Sequence, residues 1–246
     1  MIRVNLPQMQ NIVELISNER SQYVVLIGLS IGVAGLIAIV YSSSNLIFQR
    51  FLGRINPFVA FLFVFLLGLF LLSYLLLQGW FAIYEKANLT GLLRSSGLAA
   101  LLGLIMIFVD LKIVFPPDIN VLFPESVLFY PAIGFFAEIL FHVLPLAVLL
   151  ISLTSIFRNV SPENIIWICI PIVALLEPIY QALPMASSNR YPLWAIVYVG
   201  LHIFLINLFQ LFIFKRYDFI SMYSFRLVYY LFWHIGWGYM RLRLLF

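Results

Sequence analysis

Charge is scarce in this chain. Only 10% of its 246 residues are Asp, Glu, Lys or Arg, and 64% are hydrophobic, with a mean hydropathy of +1.07. A soluble domain carries about 25% charged residues, so this composition belongs to an integral membrane protein. Alternation of period two is missing as well. The apolar runs are continuous, which excludes barrel strands and leaves helices as the spanning elements. Cysteine is nearly absent: Cys169 is the single one, so there is neither an intrachain disulfide nor a cluster of thiolate ligands. The formal net charge of +4 is small, and its basic residues sit mostly beside hydrophobic segments. That pattern fits anionic headgroups and topology, not nucleic acid. No repeat, low-complexity segment or domain linker interrupts the chain, and residues 1–246 read as one membrane domain.

What is present is a series of apolar runs, each near the ~20 residues that a bilayer requires. They predict an all-α polytopic transmembrane bundle of about seven spans (six to eight), a multi-pass protein in contact with the lipid bilayer. The spans fall at about 23–41, 57–78, 97–115, 127–153, 165–183, 192–214 and 219–239. Pro57 opens the second, and Ser161-Pro162-Glu163 resembles the start of the fifth. Residues 1–21 do not pattern as a signal peptide. Ile2, Leu6, Met9, Val13 and Ile16 recur there at helical spacing, as in an interfacial amphipathic segment. Asp110 and Lys112 are too close in sequence to face each other on a helix and are expected to snorkel or pair with neighbours.

Against this background, ionisable residues inside the spans stand out. Each costs roughly 2.5–3.5 kcal/mol on insertion scales and faces a bundle interior or a wet cavity. Glu138 and His142 are four residues apart, so a helix places them on one face. Pro145 should kink that helix, and Glu177 precedes Pro178 where the fifth span should bend. His202 and His234 lie in the sixth and seventh spans. Glu138, His202 and His234 are expected to face one cavity, with His142 and Glu177 at its margin. Asn207 and Gln210 read as glue between helices. The three histidines and a carboxylate are ligand types suited to zinc, but no His-Glu-x-x-His is present, so a metal-free site is the leading expectation.

The order of these residues resembles the CAAX protease and bacteriocin-processing enzyme family of intramembrane endopeptidases, over about residues 127–240. For the family's EExxxR motif, Ala137-Glu138-Ile139-Leu140-Phe141-His142 keeps one glutamate and places a basic group at the arginine position. For FxxxH there are two placements, Tyr198-Val199-Gly200-Leu201-His202 and Val173-Ala174-Leu175-Leu176-Glu177. For HxxxN, His234-Ile235-Gly236-Trp237-Gly238 keeps the histidine and has glycine for asparagine.

The resemblance implies a core bundle at 127–240 in which a glutamate activates water for attack on a peptide carbonyl. The histidine and asparagine positions would bind the developing oxyanion. Glu138, His142, Glu177, His202 and His234 are then the catalytic candidates, without a cofactor. The substrate would be a membrane-embedded peptide or protein. The departures at 137, 142 and 238 keep a second expectation open, a catalytically silent relative that serves as a subunit or scaffold among other membrane subunits. Glu and His on Pro-broken helices also suit a proton-coupled transporter, against which the missing inverted repeat counts.

Overall fold

A computed structural model describes residues 18–43, 45–187 and 191–246. Most of the amphipathic segment at 1–21, and residues 188–190 of the polar loop before the sixth span, lie outside the described residues. Among those described there are eight helices and no strand. We number them α1 (Arg20–Ser43), α2 (Asn45–Leu52), α3 (Pro57–Leu77), α4 (Leu89–Ile113), α5 (Glu125–Ile156), α6 (Pro162–Ser187), α7 (Leu193–Arg216) and α8 (219–244). Six of them, all but α2 and α8, are long and apolar enough to cross a membrane. The chain is therefore an all-α, multi-pass integral membrane protein. The last helix, α8, is comparably long but more polar, since it carries Arg226, His234, Arg241 and Arg243.

Local chemistry sets where the helices begin. Asn56 caps α3 by accepting from the Phe58 N–H at 2.9 Å, and Pro57 fills the first helical position, where no N–H is needed. Ser161 and Pro162 start α6 in the same way. By contrast, α4 begins eight residues before the apolar run that hydropathy marks out. Thr90, Arg94 and Ser95 are polar but do not break a helix, so Arg94 is exposed on α4 rather than in a loop.

Two helices widen in the middle. The Glu138–Val143 stretch of α5 and the Leu231–Trp237 stretch of α8 are π-helical. In α5 the wide turn lies just before Pro145, which cannot donate a backbone bond, and the Leu144 N–H reaches back five residues to the Ile139 carbonyl. In α8 a Cβ on Gly236 would come within 2.9 Å of the Leu231 carbonyl oxygen, so glycine lets that turn close. A third irregularity breaks α6 at Leu175. Pro178 leaves the Ala174 carbonyl without its helical donor, and Asn207 on α7 donates to that oxygen at 3.4 Å.

Packing places α5 at the centre. α1 covers its first half, α3 its second half, and α6 and α8 lie against its middle and flanks. A Cβ at Gly68 of α3 would sit 2.7 Å from Ile139 of α5, so the missing side chain allows close approach beside Glu138. The outer faces of α1, α3 and α4 are apolar and exposed, with only 28% of each span's apolar window buried, against 44% for α6. Those outer faces meet lipid.

One end of the bundle is closed by a second buried ion pair. Arg241 grips Asp110 through Nε at 2.7 Å and Nη2 at 3.0 Å, both side chains fully buried. Asp110 also accepts from the Trp237 indole N–H at 2.6 Å and the Phe115 backbone N–H at 2.8 Å. The remaining Arg241 donors hold the Pro116 and Phe115 carbonyls. Of the two expected fates, Asp110 therefore pairs with neighbours and does not snorkel. It fixes the chain reversal after α4, where Val114 has a left-handed φ of 54°.

Candidate functional site: an ion-pair core between four helices

Glu138 lies about 20 Å along α5 at 1.5 Å per residue, well inside the span, and its side chain is fully buried. A carboxylate there must find donors, and three helices supply them. Arg226 Nε of α8 donates to Oε1 at 2.5 Å, and Gln210 Nε2 of α7 donates to the same oxygen. His142 Nδ1, one turn along α5, lies 2.6 Å from Oε2. The spacing of Glu138 and His142 thus does bring the two together.

Glu177, at the break in α6, is the second carboxylate. Its Oε1 accepts from Arg226 Nη1 at 3.2 Å and from Gln181 at 2.9 Å, while Oε2 accepts from Arg226 Nη2 at 3.0 Å. Arg226 closes the set by donating to the Tyr230 hydroxyl at 3.1 Å and the Gln210 side-chain Oε1 at 3.3 Å. A guanidinium has five N–H donors, and all five are engaged. Gly134 lies beneath this arrangement, where a Cβ would meet Tyr230 at 3.2 Å and Arg226 at 3.5 Å.

The other histidines stand apart from this centre. His202 of α7 is buried between two tyrosines, with Nδ1 3.5 Å from the Tyr198 hydroxyl and Nε2 3.3 Å from the Tyr229 hydroxyl. His234 of α8 sits 2.6 Å from Asn120 Oδ1 through its Nδ1. It stacks on Tyr130 with ring centroids 4.5 Å apart and meets Tyr230 edge-on at 5.0 Å. Tyr230 is thus the bridge between His234 and the Arg226 centre. The geometry inverts the expected layout: His142 and Glu177 join Glu138 at the core, and His202 and His234 take the margin. Among the described residues, no group of three His, Cys, Asp or Glu side chains is placed to hold a metal ion.

Two polar groups sequence reasoning left out of the site are at its centre, Arg226 and Gln210. The signal for Arg226 was present, since an arginine inside an apolar span must find a partner. Asn120 is a third. It comes from the connection before α5, and the lack of a side chain at Gly238 makes room for it: a Cβ there would lie 3.1 Å from Asn120 Nδ2. An asparagine thus meets His234 although the fourth residue after that histidine is glycine. Four buried side-chain atoms have no hydrogen-bond partner among the described residues: His142 Nε2, Asn207 Oδ1, Asn120 Nδ2 and the Ser126 hydroxyl.

Chemically, the core is a cation held between two anions, with an imidazole on one of them. It locks α5, α6, α7 and α8 at membrane depth. The chain matches no family model, no curated protein and no solved structure.

Proposed function

We propose that this is a CAAX-protease-like membrane protein whose polar core works as an ion-pair clamp, and that the chain serves as a scaffold subunit among other membrane proteins rather than as an endopeptidase. One observation carries the reading: every Arg226 donor is taken, and it pairs with both candidate glutamates. A general base needs a lone pair that water can reach and a proton affinity suited to its task. Glu138 offers no such lone pair, being fully buried with a guanidinium on Oε1 and an imidazole on Oε2. Ala137 supports the same reading, since it removes a carboxylate that the resembled family employs.

A second reading rests on His142. A carboxylate on Nδ1 favours the tautomer with its proton there, leaving the Nε2 lone pair as an acceptor. That nitrogen is buried without a partner. On this reading His142 would take the proton of an attacking water, Glu138 would steady the resulting imidazolium, and a membrane-embedded peptide would be cut.

Presenting a library of membrane-embedded peptides to the purified protein in bilayers separates the two. The scaffold reading expects no cleavage and stoichiometric copurification with other membrane subunits. Cleavage lost in both His142→Ala and Glu138→Gln would replace it with the hydrolase.

A further inference from the structure

Away from the ion-pair core, a cavity of about 600 Å³ opens at the end of the bundle where α1 finishes and α5 begins. Its wall is mostly apolar, with Leu46 and Ile47 from α2, Leu122 from the connection before α5 and Leu242 from α8. Two side chains of opposite charge, Arg50 and Glu125, line the same space. Neither is in an ion pair among the described residues. Asn120, 4% exposed and with an unpartnered Nδ2, belongs to the same wall.

Each feature selects against a class of occupant. Two unpaired charges disfavour a purely apolar chain. A carboxylate in the wall repels a head group that is only anionic. An apolar wall at the end of a spanning bundle, beside the short helix α2, suits an acyl chain better than a soluble solute. We infer that this cavity binds one zwitterionic phospholipid, with the phosphate on Arg50, the ammonium on Glu125 and an acyl chain along Leu46, Ile47, Leu122 and Leu242. A guanidinium matches phosphate oxygens in a fork. A carboxylate accepts hydrogen bonds from a primary ammonium and attracts a quaternary one by charge alone.

The test is native mass spectrometry of the delipidated protein titrated separately with phosphatidylethanolamine, phosphatidylcholine, phosphatidylglycerol and a free fatty acid. The two zwitterions should bind at least about tenfold more tightly than phosphatidylglycerol or the fatty acid, a step of about 1.4 kcal/mol. Arg50→Gln should weaken both zwitterions by about tenfold. Glu125→Gln should erase the preference over phosphatidylglycerol without weakening phosphatidylglycerol itself. Leu122→Trp, which fills the cleft without touching either charge, should exclude all four lipids. A monodisperse elution profile for each variant separates lost binding from lost folding. Equal retention of the four lipids by wild type, or retention indifferent to all three substitutions, would overturn the assignment. Phosphatidylethanolamine exceeding phosphatidylcholine would identify the donor hydrogens of the ammonium as part of the recognition. The reverse order would leave the zwitterion but remove the hydrogen-bonding role of Glu125.

Discussion

Arg226 Nε of α8 lies 2.5 Å from Oε1 of Glu138 on α5, and the same guanidinium reaches Glu177 on α6 through both of its terminal nitrogens. One cation thus ties two carboxylates from different helices, all three groups at most 5% exposed. Desolvating such charges is expensive, and their attraction offsets it only while every partner is present.

Removing the cation should therefore be severe. Arg226→Met is expected to destabilise the protein by about 3–5 kcal/mol, since it leaves two buried carboxylates uncompensated. Adding Glu138→Gln and Glu177→Gln to it should recover much of the loss. Arg226→Lys should fail as well, because a point ammonium cannot reproduce the fork that spans both glutamates. Melting curves of the four proteins in one detergent check this. An Arg226→Met protein as stable as wild type would show that the network contributes nothing.

The ion pair Lys215–Glu163, at 2.9 Å, provides the contrast. The Glu163 side chain is 55% exposed, so solvent screens the pair. Glu163→Gln should change stability by no more than about 1 kcal/mol, whereas Asp110→Asn, which disarms a fully buried partner of Arg241, should cost several times more. Parallel unfolding measurements decide it, and equal losses would contradict the weight given to burial.

Much of this architecture was legible in the sequence, and the reasons for the rest are specific. Continuous apolar runs mark the spans, and the four-residue offset of Glu138 and His142 by itself places them on one face. Hydropathy put the start of α4 too late, because it registers where apolar residues begin, while a helix continues through Thr90, Arg94 and Ser95. Glu138 and Arg226 are 88 residues apart, and Glu138 and Gln210 are 72 apart. No local period encodes a pairing of that range. Asn120 was hidden for a further reason, since it reaches His234 from a connection through space that Gly238 leaves open.

That last relationship is testable by exchange. Gly238→Asn should place a side chain against Asn120 and cost about 1–3 kcal/mol by overpacking. Combining it with Asn120→Gly should relieve the clash and move the asparagine onto α8, restoring stability. Thermal unfolding of the single and double variants measures the coupling. Additive losses would show that the two positions do not share that space.

Val114 offers a gain rather than a loss. Its φ of 54° is unfavourable for a β-branched residue, and its side chain is 43% exposed, so little packing is forfeited by shortening it. Val114→Gly should stabilise the protein by about 1 kcal/mol. An unchanged or lowered melting temperature would contradict the strain.

The central claim is that the carboxylates of the core clamp helices and do not drive hydrolysis. The most direct measurement is cleavage of membrane-embedded peptides by the purified wild-type protein in bilayers, run beside Glu138→Gln, Glu177→Gln and His142→Ala. The account predicts no cleavage by any of the four, and reduced thermal stability in the two glutamate variants. Wild-type cleavage that falls by the ~10²–10⁴-fold typical of a lost acid or base, in Glu138→Gln or His142→Ala, would contradict it.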